Sequence, residues 1–360
     1  MKKLVCILTF TLLFTLQISA QSEFYDAFDI PHIVESAPGE SDIRFDEKIS
    51  FSDGIRKILG DAKESISSML GRGVRCVGII MAVSFLCKCV ESMIPGEDSA
   101  VKSSLSLLSA IAVTGAAAGS ITSVMGMCRE FIGGVDVFSK ALLPSVAAAE
   151  AVCGLPGSAT AKAAITLVFS DILISLINSV FLPLVYISVF ASTANAAAKN
   201  SALQKISDFS SKIVSGSLKI LLGAFVSYIS VSGIITGGVD KAGLKVAQFA
   251  LGTTVPIVGG AVSEAAETVI AGAAMMKNAI GVFGMLAILS AFVTPFAAML
   301  VNYLSFKAAS LVASPTLGGG ISELSSRLAD GFGLMLGMSA AVATVILFAI
   351  IAAMRSVGVL

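Results

Sequence analysis

Six stretches of this sequence each run for roughly twenty or more mostly apolar residues, the length a helix needs to cross the hydrocarbon core of a bilayer. They are Val74–Ile94, Ser104–Met127, Ala163–Phe190, Ile213–Ile235, Ala279–Val301 and Gly333–Met354. A seventh, Phe131–Val152, is weaker because it carries Asp136, Lys140 and Glu150; it reads as a further span or as a re-entrant or interfacial segment. Backbone N–H and C=O groups in lipid must be paired inside the segment or around a closed barrel, so runs of this length mean helices. The predicted fold class is therefore all-α, a polytopic helical membrane protein with six or seven spans, and the parity of that count sets the orientation of everything downstream. Composition agrees: 13% of the chain is charged, where soluble domains carry about 25%. With 56% hydrophobic residues, a soluble chain of 360 residues could not hide its apolar surface. Net charge is zero, so no basic face points to nucleic acid; the bilayer is the expected partner surface.

The N-terminus has a different pattern. Lys2 and Lys3 precede an apolar stretch, Leu4 to Leu16, too short to span comfortably, and Ile18-Ser19-Ala20 forms an imperfect cleavage site. Residues 1–20 read as a secretory signal peptide cut after Ala20, with a membrane anchor as the alternative. Residues 21–70 read as an exported polar segment, acidic early and interrupted by Pro31, Pro38 and Gly39. From Phe51 the apolar residues Ile55, Ile58, Leu59, Ile66, Met69 and Leu70 recur at helical spacing, with Asp53, Arg56, Lys57, Asp61 and Lys63 between them. Such an amphipathic helix lies on the membrane surface, against a partner, or on its own membrane domain. The polytopic domain then occupies residues 71–360.

Two linkers between spans are informative. Leu203, Ile206, Phe209 and Ile213 form one helical stripe and Lys205, Asp208 and Lys212 another, an interfacial pattern. From Gly237 to Asn278, two half-apolar segments flank the break at Pro256, Gly259 and Gly260, and Glu264 and Glu267 follow one turn apart. This resembles a re-entrant helical hairpin whose carboxylates could line a cation path. An ordinary pair of surface helices with solvated carboxylates is the plainer reading. Lys199, Lys205 and Lys212 compete with Lys241, Lys245 and Lys277 for the cytoplasmic side, so the positive-inside rule leaves orientation open.

Polar groups at membrane depth are the candidate functional residues, because charge there is costly. Asp171, Ser175 and Asn178 stand at i, i+4 and i+7 and share one helix face. They form a polar pathway or an interhelical hydrogen-bond cluster. Glu150 and Lys88 are isolated charges nearer span ends. The pairs Gly115/Gly119, Gly233/Gly237 and Gly333/Gly337 each present a small-residue groove for helix packing, inside the chain or in a homo-oligomer. Pro183 and Pro295 should kink their spans. Cys87-Lys88-Cys89 resembles a metal clip, but His32 is the one histidine and no second cysteine pair stands at ligand spacing, so no metal is expected. There is no phosphate-binding loop and no plausible Ser/His/Asp set, so neither ATP hydrolysis nor another enzymatic activity is expected, and no cofactor.

The stretch LGTTVPIVGGAVSEAAETVIAGAAMMKNAIGVFGMLAIL, residues 251–289, carries a resemblance. Val255-Pro256-Ile257-Val258-Gly259, then Glu264-Ala265-Ala266-Glu267-Thr268-Val269-Ile270, then Lys277-Asn278-Ala279-Ile280-Gly281 resemble the signature region of the stage III sporulation protein AE family. The layout of signal, short polar segment and polytopic domain is similar too. The resemblance implies a multi-pass protein of the mother-cell membrane around the forespore, with its N-terminal segment on the exported side. It implies a place in a secretion-like channel complex between mother cell and forespore. The implied partners are the other subunits of the stage III A complex, including a cytoplasmic ATPase that would supply the missing phosphate loop. It carries over no catalytic residue. Two functions stand: a non-enzymatic membrane subunit of that channel, or a self-sufficient secondary transporter built around Asp171, Asn178 and the broken 237–278 region.

Overall fold

Helix is the state in which an apolar segment satisfies its own backbone, and a computed structural model is helical almost throughout. It describes residues 29–38, 51–93, 99–152, 156–198, 200–254, 259–317 and 319–355, with the backbone alone over most of 232–273. Residues 1–20, most of the polar segment up to 50, and Pro256 lie outside the described residues. A short helix α1 (Ile30–Glu35) precedes α2 (Phe51–Met93), α3 (Ser99–Val152) and α4 (Pro156–Leu176). A single π-turn, Ile177–Phe181, joins α4 to α5 (Leu182–Ala198), and α6 (Ser201–Thr254), α7 (Gly259–Leu317) and α8 (Gly319–Arg355) follow. Among the described residues there is no strand, and six helical stretches are long and apolar enough to cross a membrane.

The helices alternate in direction, and ring and side-chain contacts fix their register. Phe131 and Phe138 of α3 meet Phe292 and Phe283 of α7, so these two run antiparallel. Phe169 of α4 meets Phe225 of α6, with ring centroids 4.9 Å apart. Phe306 of α7 stacks on Phe332 of α8, centroids 5.4 Å apart. Cys128 of α3 lies 3.2 Å from Ser339 of α8. Alternation gives the bundle two ends. One, here proximal, holds the end of α3, the start of α4 and the end of α8; the other, distal, holds the turns after α5 and after α7. α1 buries Ile30 and Ile33 against the bundle, and Pro38 sits over Gly134 of α3.

Three features sharpen the sequence reading. The stretches Ser104–Met127 and Phe131–Val152 are one helix, α3, because Cys128-Arg129-Glu130 contains no breaker, and Pro144 is carried inside the helix. Among the described residues the spans therefore number six, and Phe131–Val152 is not a separate seventh. The amphipathic stretch from Phe51 runs unbroken through residue 70 into the first span, giving a 43-residue α2 that packs lengthwise on α7. The stretches flanking Pro256 continue α6 and α7, each over 50 residues long. The Pro183 kink takes a specific form. Proline removes the N–H that would bond the Ser179 carbonyl, and the backbone widens there into the π-turn.

Candidate functional site

The polar residues gather at three levels. In the proximal half of the bundle, near the level of Phe283 of α7, Lys140 of α3 places its Nζ 3.0 Å from Asp136 Oδ2 and 3.0 Å from Asp171 Oδ1 on α4. This joins α3 to α4 by an ion pair rather than leaving Asp171 as an isolated carboxylate. The cluster is on the outside of the chain: Asp171 is 57% exposed and Lys140 50%. Ser175 and Asn178 are exposed as well, on the side of α4 and the π-turn that carries Asp171. The sequence-predicted trio thus shares a face, and that face points away from the rest of the chain. Asp136 turns its second oxygen, Oδ1, inward, where it finds no hydrogen-bond partner.

At the proximal end, Glu150 is 2% exposed and lies 3.9 Å from Lys162. Both line a small cavity with Thr166, Ile229 and Ala353. Close by, Lys277 is 1% exposed, and its Nζ donates to the carbonyls of Ala353 and Met354 at 3.2 Å each. These are among the last carbonyls of α8, which have no partner inside their own helix. A cation there also complements the negative end of the helix dipole. The lysine of the Lys277-Asn278-Ala279 motif is therefore a C-cap for a helix 76 residues further along the chain.

At the distal end Arg327 of α8 is the hub. It donates to Asp208 Oδ1 of α6 at 2.6 Å and to Glu323 at 3.0 Å, and Gln204 also donates to Glu323. Lys307 of α7 reaches Asp330 and Ser326 of α8 at 3.0 and 2.9 Å. A cleft over the hub is lined by Ser192, Asn195, Ser201, Gln204, Glu323 and Arg327. The guanidinium is taken up by two carboxylates, so among the described residues the cleft presents no free cation to an anion.

Below the cleft α5 and α6 meet along a seam of serines. Ser188 Oγ lies 2.9 Å from Ser207 and 3.0 Å from Ser211, and Ser192 lies 2.7 Å from Ser207. The apolar stripe of the same segment faces outward, with Ile206 and Phe209 exposed. Small hydroxyl residues inside and apolar residues outside is the order lipid favours. The serine seam, the Arg327 hub and the Lys277 cap were not visible in the sequence; each is made by residues distant in the chain or by a face that helical periodicity marks as polar and therefore solvent-facing.

The remaining candidates scatter. Gly259, Gly260, Glu264 and Glu267 lie in the first turns of α7, where only the backbone is described, and Gly233 and Gly237 lie in the corresponding part of α6. A Cβ at Gly115 or Gly119 would meet nothing, so that groove faces away from the chain instead of packing within it. A Cβ at Gly333 would lie 3.4 Å from Tyr303, and one at Gly337 4.0 Å from Leu218. The tight approaches are elsewhere: a Cβ at Gly284 would fall 2.6 Å from Leu142, at Gly281 2.7 Å from Met354, and at Gly54 2.5 Å from Leu286. Among the described residues no group of three His, Cys, Asp or Glu could hold a metal, and Cys89 is a free thiol.

Arrangements of this kind hold helices together. No solved structure matches the chain. A curated protein of Bacillus subtilis (strain 168), stage III sporulation protein AE, is 27% identical over 145 residues. That match covers 40% of this chain and 36% of the relative, so little over a third of the relative's length is spanned. The profile of the family described as stage III sporulation protein AE matches residues 44–358, which takes in every one of the six spans and all three polar levels. This multi-pass membrane protein belongs to the stage III sporulation protein AE family.

Proposed function

We propose that the protein is a non-enzymatic membrane subunit of the channel or secretion-like complex that links mother cell and forespore during endospore formation. The observation that carries this reading is the family match over residues 44–358, laid over a bundle whose helices are joined by ion pairs and hydrogen bonds. In this reading the chain sits in the mother-cell membrane around the forespore with its N-terminal segment on the exported side. Its partners are the other subunits of the stage III A complex, including the ATPase that supplies the energy this chain has no phosphate loop to harvest. The second reading, a lone secondary transporter, would build its site on Asp171, Asn178 and the 237–278 region. Asp171 is held by Lys140, which speaks for helix joining over ion carriage.

The test is affinity purification of the tagged protein from sporulating cells in mild detergent. Co-purification of the ATPase and other stage III A proteins is the expected result. A solitary protein, under conditions that keep other membrane complexes intact, would sink the subunit reading and favour the transporter.

A further inference from the structure

The packing of α2 on α7 raises a question of depth. A Cβ at Gly54 would lie 2.5 Å from Leu286, and one at Gly73 would press on Val301 and Ser305. The two helices therefore run parallel at close range in near-constant register, residues 54–73 of α2 beside residues 286–305 of α7. Between Lys277 and Lys307, α7 has no charged residue. Crossing the hydrocarbon takes about 20 residues, and any such stretch within 278–306 includes residues 287–297. Beside those lie residues 55–65 of α2, and among them Arg56, Lys57, Asp61, Lys63 and Glu64 are all exposed on the surface of the single chain. Moving the bilayer toward the apolar half of α2 does not help. That half begins beside Ser305 and so lies level with Lys307, Asp330 and the Arg327 hub. No single bilayer position leaves α2 and α7 both free of charge at hydrocarbon depth.

The neighbouring elements repeat the pattern. Arg129, Glu130 and Lys140 on α3 and Asp171 on α4 are exposed, and Phe131 places the first two at the level of Phe292. α2, α3 and α4 touch in sequence around the bundle. Lipid does not cover a surface with this density of charge.

We infer that the charged face of α2 is covered in the membrane by the same face of a second copy of this chain. Its sign pattern fits that occupant. Over residues 53–64, Arg56, Lys57 and Lys63 are matched by Asp53, Asp61 and Glu64, so this part of the face is neutral and can pair with itself. A partner face of one sign would leave half the charges opposed. Copies inserted in the same orientation bring their α2 helices together in parallel, and long Lys and Arg side chains reach carboxylates one turn away on the neighbour. The inference goes beyond the subunit reading above and uses from it only the bilayer. Self-association can be measured whether or not other sporulation proteins bind.

Two differently tagged full-length copies are co-expressed and isolated in mild detergent. One variant carries Lys57→Glu and Lys63→Glu, the other Asp61→Lys and Glu64→Lys. Wild type should co-isolate with wild type, each variant should lose co-isolation with itself by about tenfold or more, the effect of roughly 1.4 kcal/mol, and the two variants mixed should recover it. Variants that stay monodisperse yet co-isolate like wild type, or a mixed pair that does not recover, overturn the inference. A second measurement covers variants that fail to fold. Lys57→Cys, in a chain whose natural cysteines are replaced by alanine, is treated in intact membranes with a short bis-maleimide and separately with a membrane-impermeant maleimide. Cross-linked dimer is expected, with none from Phe209→Cys on the apolar outside of α6. Labelling by the impermeant reagent without cross-linking overturns the inference in favour of a water-lined face, and reaction with neither reagent overturns it in favour of burial by another protein or lipid.

Discussion

Lys277 is carried into the interior of the bundle, its stem packed and its Nζ capping α8. Hydrogen bonds from a charged donor contribute about 1.5–3 kcal/mol, and a buried carbonyl left without its donor costs about 1–3 kcal/mol. Methionine preserves the length and apolar stem of lysine but cannot donate. Lys277→Met is therefore expected to lower the stability of the purified protein by about 2 kcal/mol or more, read as a drop in the thermal midpoint in detergent. Lys307→Met is the contrast. Its partners Asp330 and Ser326 are more exposed, and an exposed ion pair contributes about 0–1 kcal/mol. Equal losses from the two substitutions would show that the cap at Ala353 and Met354 is not what holds Lys277. The sequence marks Lys277 as the head of a motif without revealing this role, because the carbonyls it serves belong to residues 76 and 77 positions away.

At the scale of elements, the spans were legible because bilayer thickness writes itself into the length of each apolar run. The full helices were not. Arg129-Glu130 in α3 and the charged half of α2 read as boundaries, but charge alone does not end a helix whose backbone bonds continue and whose side chains find protein or water. The α5–α6 seam was hidden for a related reason: Ser207 and Ser210 belong to the polar face of their helix and yet are buried, while Ile206 and Phe209 face out. Periodicity locates a face but does not say whether the solvent on the other side is water or lipid. The seam makes its own prediction. Interhelical hydrogen bonds in membrane bundles average about 0.6 kcal/mol, and close backbone approach contributes through packing. Ser207→Ala should therefore cost about 1 kcal/mol or less, although Ser207 touches both Ser188 and Ser192. Ser207→Leu, which forces the helices apart, should cost about 1–3 kcal/mol. Thermal unfolding of the two variants in one detergent gives the order. An alanine variant as damaged as the leucine one would show that the hydroxyl bonds, and not the close approach, hold α5 to α6.

The described residues of the molecule form a bundle of six spans whose ion pairs lie at both ends and between them, and the parity of that count has a physical consequence. Folding Phe131–Val152 into α3 removes the seventh crossing, so the start of α2 and the end of α8 come out on the same side of the membrane. The turn at Asn200 and the turn between α7 and α8 fall on the opposite side, with the Arg327 hub and the mouth of the serine-lined cleft. The sequence could not decide this, since its lysines pull both ways across the α6–α7 connection. The joined α3 decides it, because one helix cannot cross twice without a turn. Single cysteines placed at Ser52, Asn200 and Ser356 in a cysteine-free chain report it directly in right-side-out and inverted vesicles. Ser52→Cys and Ser356→Cys should react with an impermeant maleimide in one vesicle orientation, and Asn200→Cys in the other. Should Ser52→Cys label together with Asn200→Cys, the number of crossings between them is even, and α3 must then leave and re-enter the membrane within the stretch that the structure draws as a single helix.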